Sequence, residues 1–376
     1  MKILFCTNAF ENITNGPAKF ANLILEINER HAGHEIRILT EDVTHERQYV
    51  YKVNLRIPPL LKPLGQLLRM FVYYRKTKQI QREYAYDVIV YNNAFTGLWA
   101  SLVSGKPTVG MINDEKNLRT TLHNFKFSRQ WLKQFAFSRL EYISTRTHRL
   151  IITNSDFLRE RVMQTYRVPA AKTHRLYKSI NLPGIIHQPD RNFRAPIQVV
   201  FVKADYRVGN LPVLAEALAQ LPEYGFVLHV MGPEPKFEAD LKRYFLNKPN
   251  VELRYLGPQP QTAVYEHLRT ADIFCVPSAT EALGVANIEA LAHGIPVVSS
   301  RVGGIPEVLD NGRNGWLAEP GNVVALAAAI RECIQNPALR LEKSQNGRRF
   351  IAKFGKEAMF DEFLRILSQV REKPIR

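Results

Sequence analysis

Cysteine is scarce in this 376-residue chain: Cys6, Cys275 and Cys333 stand far apart and fit neither a disulfide framework nor a zinc spacing. A disulfide scaffold is excluded, a reducing and hence cytoplasmic setting is expected, and each thiol reads as a small buried apolar residue. Long apolar runs are missing too, since no stretch approaches the roughly 20 apolar residues a membrane helix needs. The opening MKILFCTNAF loses its apolar character at Asn8, too short for a signal peptide, and reads as a buried first strand. No His/Asp/Glu cluster has metal spacing, so no metal site is expected. Acidic residues are scarce in one half only. Residues 1–200 hold 15 Asp and Glu against 30 Lys and Arg, whereas residues 201–376 hold 20 against 21. The net charge of +16 therefore sits almost wholly in the amino-terminal half, which is built to face a negative partner.

What is present is an α/β pattern that runs twice, in a chain whose 45% hydrophobic content can fill two cores. Lys2 to Cys6 reads as a strand, Ala18 to Ala32 as a helix with Phe20, Leu23, Ile24 and Ile27 on one face, and Glu35 to Leu39 as the next strand. Further strands are expected at Asp87 to Tyr91, Thr108 to Ile112 and Arg149 to Thr153, with helices at Thr96 to Ser104, Phe127 to Thr147 and up to Tyr166. Ligands of such folds sit at the carboxyl ends of strands, so Gly16 lies either in a phosphate-facing loop or in an ordinary tight turn. Residues 182–196, with Pro183, Gly184, Pro189 and Pro196, read as a linker. The pattern then restarts with strands Ile197 to Val202, Val227 to Met231 ending at Gly232, Val251 to Leu256 ending at Gly257, Ile273 to Val276 and Val297 to Ser299. The expected architecture is two Rossmann-like doubly wound domains, 1–185 and 186–354, facing across a central cleft, with a last helix at about 355–376 packed back on the first.

Residues 51–86 stand out, with eight basic residues, one acidic residue, five tyrosines and the leucines 60, 61, 64, 67 and 68. Two readings fit: a helix packing its apolar groups on the domain core with solvated cations outside, or a segment docked in an anionic membrane interface. Nucleic acid fits less well and is not expected as a partner.

Between Ser278 and Gly321 the chain packs seven glycines into 44 residues around Glu281 and Glu289. That glycine density implies close approach of backbone to a ligand, and in an α/β chain the usual one is a phosphate at a helix N-terminus. The run Glu281-Ala-Leu-Gly284, then Glu289 and Gly294-Ile-Pro296, continuing through Gly303-Gly304-Ile-Pro306-Glu307, Asn311-Gly312, Asn314-Gly315 and Glu319-Pro320-Gly321, resembles the E-x7-E signature of family 4 retaining glycosyltransferases of the GT-B fold. Softer matches run in order through the N-terminal glycine loop, Ser155, Ile180-Asn181, Gly232 and Leu256-Gly257.

The resemblance implies a nucleotide-diphosphate sugar, UDP- or GDP-linked, as donor substrate on the second domain, with no cofactor. Glu281 would hold donor-sugar hydroxyls, Glu289 the ribose hydroxyls, and Leu283, Gly284 and Val285 would aim N–H groups at the diphosphate. Gly16, Gly232 and Gly257 are expected to line the same site. Two departures stand out. Where the family carries an Arg and a Lys on the diphosphate, this chain has Ala204 and Gly209, so Lys203 and Arg207 are the expected substitutes. Where many members place His before Asp, the chain has Asn113 and Asp114, which either hydrogen-bond a sugar or merely end a strand.

The reading is a metal-independent retaining glycosyltransferase whose sugar or lipid-linked acceptor lies on the basic first domain, at the inner face of a membrane, in bacterial polysaccharide or lipopolysaccharide assembly. Two rivals stay open: a GT-B nucleotide-sugar epimerase, and a catalytically weak sugar-nucleotide or polyanion-binding protein.

Overall fold

Strand β1 (Lys2–Thr7) has five consecutive buried residues, and its period-two alternation assigns them to two cores. Ile3 and Phe5 join one apolar cluster with Phe20, Ile24 and Phe363, while Leu4 and Cys6 join another with Tyr73, Ile80, Tyr84 and Tyr91. A strand apolar on both faces must be covered on both, which is the physical requirement of a doubly wound sheet. The computed structural model describes residues 1–11, 16–30, 33–55, 57, 65–120, 125, 127–180 and 193–372. The chain divides into two units, Met1–Lys178 with Lys356–Arg376, and Ser179–Gly355.

In the first unit, β1 is joined by β2 (Glu35–Thr40), β3 (Val50–Lys52), β4 (Val88–Tyr91), β5 (Thr108–Ile112), β6 (Leu150–Thr153) and β7 (Thr173–Arg175). All neighbours are parallel, in the order β3-β2-β1-β4-β5-β6-β7. Helix α1 (Gly16–Asn28) buries the expected stripe Phe20, Leu23, Ile24 and Ile27, but it stops short of Ala32. Gly33, at φ +111, turns the chain into β2. The remaining helices are α2 (Gly65–Glu83), α3 (Leu98–Val103), α4 (Arg129–Thr147) and α5 (Asp156–Tyr166). Ser128 and Ser155 cap α4 and α5 by accepting from Trp131 N–H and Leu158 N–H.

The Tyr-rich stretch 51–86 packs on the core through α2, where Met70, Tyr73, Thr77 and Ile80 are buried. Tyr73 donates to Thr7 O at 2.8 Å and Tyr86 to Thr77 O at 3.0 Å, so the tyrosines are anchors of the domain. Arg69 and Lys76 pair with Glu41 and Glu46, each at 2.9 Å. Leu67 and Phe71 stay exposed on α2, while Leu60, Leu61 and Leu64 lie outside the described residues.

The second unit is a six-stranded parallel sheet of β8 (Ile197–Val202), β9 (Phe226–Met231), β10 (Val251–Gly257), β11 (Ile273–Val276), β12 (Val297–Ser300) and β13 (Trp316–Ala318), ordered β10-β9-β8-β11-β12-β13. Its helices are α6 (Leu211–Ala219), α7 (Glu238–Phe245), α8 (Gln261–Thr270), α9 (Val285–Ala292), α10 (Ile305–Val308), α11 (Val323–Gln335) and α12 (Pro337–Phe350). Helix α13 (Lys356–Glu372) belongs to the first unit, where Phe360, Phe363, Ile366 and Leu367 complete the core under α1. The linker read at 182–196 falls largely outside the described residues. The three strands that the sequence did not announce, β3, β7 and β13, have only three residues each, too few to display a period.

Candidate active site

In the second unit the carboxyl ends of β8, β9 and β11 bring three expected residues together. Lys203 follows β8 directly, and its Nζ donates to Glu281 Oε2 at 2.5 Å, with both side chains about three-quarters covered. The other carboxylate oxygen, Oε1, accepts from Ala282 N–H at 3.1 Å. Gly232, at φ +113, lies against the backbone after β8, where a Cβ would stand 2.6 Å from the Lys203 carbonyl carbon. Its N–H donates to Gly257 O at 2.8 Å, which fixes the ends of β9 and β10 to one another.

Gly209 explains the missing lysine. A Cβ there would meet Phe201 Cζ at 2.5 Å and Lys203 Cγ at 2.9 Å, so the stem of Lys203 fills the space that a side chain at 209 would need. Arg207 is placed differently: it is exposed, its Nε donates to Tyr206 Oη at 3.1 Å, and its guanidinium lies over the Tyr206 and Phe237 rings. None of these contacts joins it to Lys203 or Glu281.

Gly284, at φ +89, begins α9 without any side-chain cap, and of the first-turn N–H groups that of Asn287 turns back to Gly284 O at 3.0 Å, so the positive end of the helix dipole lies at Gly284 and Val285. Leu283 is buried and anchors this turn. Gly303 is a residue that sequence reasoning did not single out. At φ +58, a Cβ on it would fall 1.6 Å from the Glu281 carbonyl oxygen, so only glycine allows the β12–α10 loop to support Glu281 from behind. Gly303 stood inside the motif, but spacing alone does not say whose backbone it touches. Glu289 lies farther along α9, buried, and accepts from Gln261 Nε2 at 3.1 Å. Its charge adds to the burial that pushes the Tyr265 hydroxyl upward.

In the first unit the carboxyl edge is laced by amides. Asn92, Asn113 and Asn154 follow β4, β5 and β6 directly, and Thr7 ends β1. Asn92 Nδ2 donates to Thr7 Oγ1 at 3.2 Å, Asn113 Nδ2 to Asn92 O at 2.7 Å, and Asn154 Nδ2 to Asn113 O at 2.8 Å. Asn113 is thus engaged in tying strand ends together. Asp114 is exposed, and its Oδ1 closes a local turn by accepting from Lys116 N–H at 3.0 Å. Asn154 Oδ1 is buried on this edge with no partner among the described residues. Gly16 opens α1, and a Cβ on it would stand 3.1 Å from Lys178 Nζ. That places an ammonium group at the start of α1, a neighbour that the spacing of the sequence does not reveal.

Two family models match the chain: "Glycosyl transferases group 1" over residues 185–350 and "Glycosyltransferase Family 4" over residues 22–182. The chain is 26% identical over 326 residues to an uncharacterized glycosyltransferase of Methanocaldococcus jannaschii, covering 86% of each chain. It is 42% identical over 169 residues to the amylovoran biosynthesis glycosyltransferase AmsK of Erwinia amylovora, a match that spans 43% of this chain and 40% of that protein. In fold it resembles Anabaena Alr3699/HepE, solved in complex with UDP-glucose, at a TM-score of 0.69 and 20% identity over 98% of this chain and 100% of that one. With these matches and the paired parallel sheets, the chain belongs to the family 4 glycosyltransferases of the GT-B fold.

Proposed function

We propose that this glycosyltransferase is retaining and metal-independent, and that it moves a sugar from a UDP- or GDP-linked donor held by the second unit to an acceptor held by the first. The observation that carries the reading is the Lys203–Glu281 pair at 2.5 Å, set beside the uncapped start of α9. An ammonium with two further N–H donors and a helix N-terminus suit a diphosphate, while Glu281 suits sugar hydroxyls. Charge developing on the departing diphosphate would meet Lys203 and the α9 N–H groups, which act where a divalent ion otherwise would. Transfer would run by front-face substitution: the acceptor oxygen bonds to the anomeric carbon on the face the diphosphate leaves, and a diphosphate oxygen takes the acceptor's proton.

Polysaccharide assembly as the setting is supported by the amylovoran relative, and a UDP-linked donor by the UDP-glucose complex of the structural neighbour. The three buried free cysteines support a reducing compartment. A lipid-linked acceptor at an anionic membrane is supported by the charge surplus of residues 1–200 and by the exposed Leu67 and Phe71 on α2. The rival reading, binding without turnover, draws on Asn113, whose amide nitrogen is already engaged by Asn92.

A thermal-shift panel of nucleotide diphosphates and nucleotide sugars tests the donor half. One base should stabilise the protein by about 2.7 kcal/mol at 100 times its Kd. A flat panel would contradict the donor reading.

A further inference from the structure

A cation-lined cavity lies in the first unit, at the amino-terminal ends of β5 and β6, the sheet edge opposite the one that carries Asn113 and Asn154. It measures about 580 Å³, and Lys106, Arg146, Arg149 and Lys172 line it. No Asp or Glu is among its described lining residues. His148 also forms part of the wall, but it is buried between Thr108 Oγ1 and Ala94 O, both at 2.8 Å, and burial pulls its pKa down to about 4, so it adds no charge. Lys172 Nζ donates to Arg146 O at 2.6 Å, a carbonyl in the last turn of α4.

That carbonyl offsets part of one charge. The remaining repulsion is visible on Lys172 itself, whose pKa is drawn down to about 8 by burial and then by Arg146 and Arg149. Four like charges around an open cavity, with no acid among its described lining residues, are a source of mutual repulsion. A multiply charged oxyanion would relieve it, because guanidinium and ammonium donors on several sides match phosphate oxygens. Beside the rim, Leu102 and Val103 at the end of α3 are 54% and 51% exposed, apolar neighbours suited to the acyl region below a headgroup.

We infer that this cavity is a phosphate-binding site separate from the donor site, taking the phosphate of an anionic lipid headgroup or a free phosphate or diphosphate. The test uses the full chain, titrated calorimetrically with inorganic diphosphate, and sedimented with phosphatidylglycerol-containing vesicles beside pure phosphatidylcholine vesicles. Two variants, Lys106→Gln/Lys172→Gln and Arg146→Gln, are compared with Arg75→Gln/Lys78→Gln, which removes from α2 the same charge as the double variant and one more than Arg146→Gln. Thermal melts identify any variant that fails to fold, and the other variant then decides.

The expected result is binding that weakens by about tenfold or more in the cavity variants and much less in the α2 variant. Loss of diphosphate binding identifies a free-anion site, and loss confined to vesicles identifies a lipid phosphate. Wild type that binds neither probe, cavity variants that bind both as wild type does, or an equal loss in the α2 variant would overturn the inference.

Discussion

Lys203 has three N–H donors and Glu281 engages one, leaving two for an anion at the carboxyl edge of the second sheet. Its position depends on Gly209, which supplies empty space. Adding one methyl group there puts a carbon 2.5 Å from Phe201 Cζ and 2.9 Å from Lys203 Cγ, so Gly209→Ala should cost about 1–3 kcal/mol of stability by overpacking. Denaturant unfolding measures this, and a variant as stable as wild type would show that the loop has slack. The motif glycines and both carboxylates were legible in the sequence because local chemistry demands them. The route of Lys203 around Gly209 was not, since it depends on which side chain fills a gap in three dimensions. Arg207 illustrates the same limit: expected as a substitute cation beside Lys203, it lies over Tyr206 and Phe237.

At the scale of elements, α4 shows what a helix can hide. It carries Arg129, Lys133, Arg139 and Arg146, yet Glu141 is buried in it, accepting from Asn117 Nδ2 and Tyr166 Oη at 2.8 Å each. Burial is the largest influence on this acid and, despite those two hydrogen bonds, pushes its pKa from 4.5 up to about 7. A folded-state pKa above the unfolded one favours folding fully below about pH 4.5, and that contribution is lost as pH rises through about 7. Glu141→Gln removes the titration. The stability difference between variant and wild type should therefore shift in the variant's favour by up to about 3 kcal/mol between pH 5 and pH 8. Parallel pH profiles would show Glu141 to be ionised at no cost. Helix α2 resolves differently from α4: the period of Met70, Tyr73, Thr77 and Ile80 gives it a buried face, and its cations are partly neutralised by Glu41 and Glu46.

At the scale of the molecule, the two units divide the charge as well as the chain. The restart of the β/α pattern made two doubly wound sheets readable from sequence, whereas the strand orders β3-β2-β1-β4-β5-β6-β7 and β10-β9-β8-β11-β12-β13 come from the structure alone. The first unit is closed by α13, whose Phe363 meets Phe5 and Phe20 with ring centroids 6.4 and 6.1 Å apart. That pairing of chain ends leaves little trace in local spacing beyond an amphipathic last helix. The charge surplus of residues 1–200 predicts salt-sensitive association with anionic surfaces. Wild type should sediment with phosphatidylglycerol vesicles at low ionic strength and be released as salt rises, and indifference to vesicles at low salt would remove the membrane from the account.

In the proposed reaction Lys203 and Glu281 act together on a nucleotide-sugar donor. Its most direct measurement is slow hydrolysis of the donor selected by thermal shift, followed in wild type, Glu281→Ala and Lys203→Ala. Wild type should turn the donor over, Glu281→Ala should not, and Lys203→Ala should show a fall in kcat of about 100-fold with a smaller rise in KM. An unchanged kcat in Lys203→Ala, or hydrolysis that survives Glu281→Ala, would contradict this joint action.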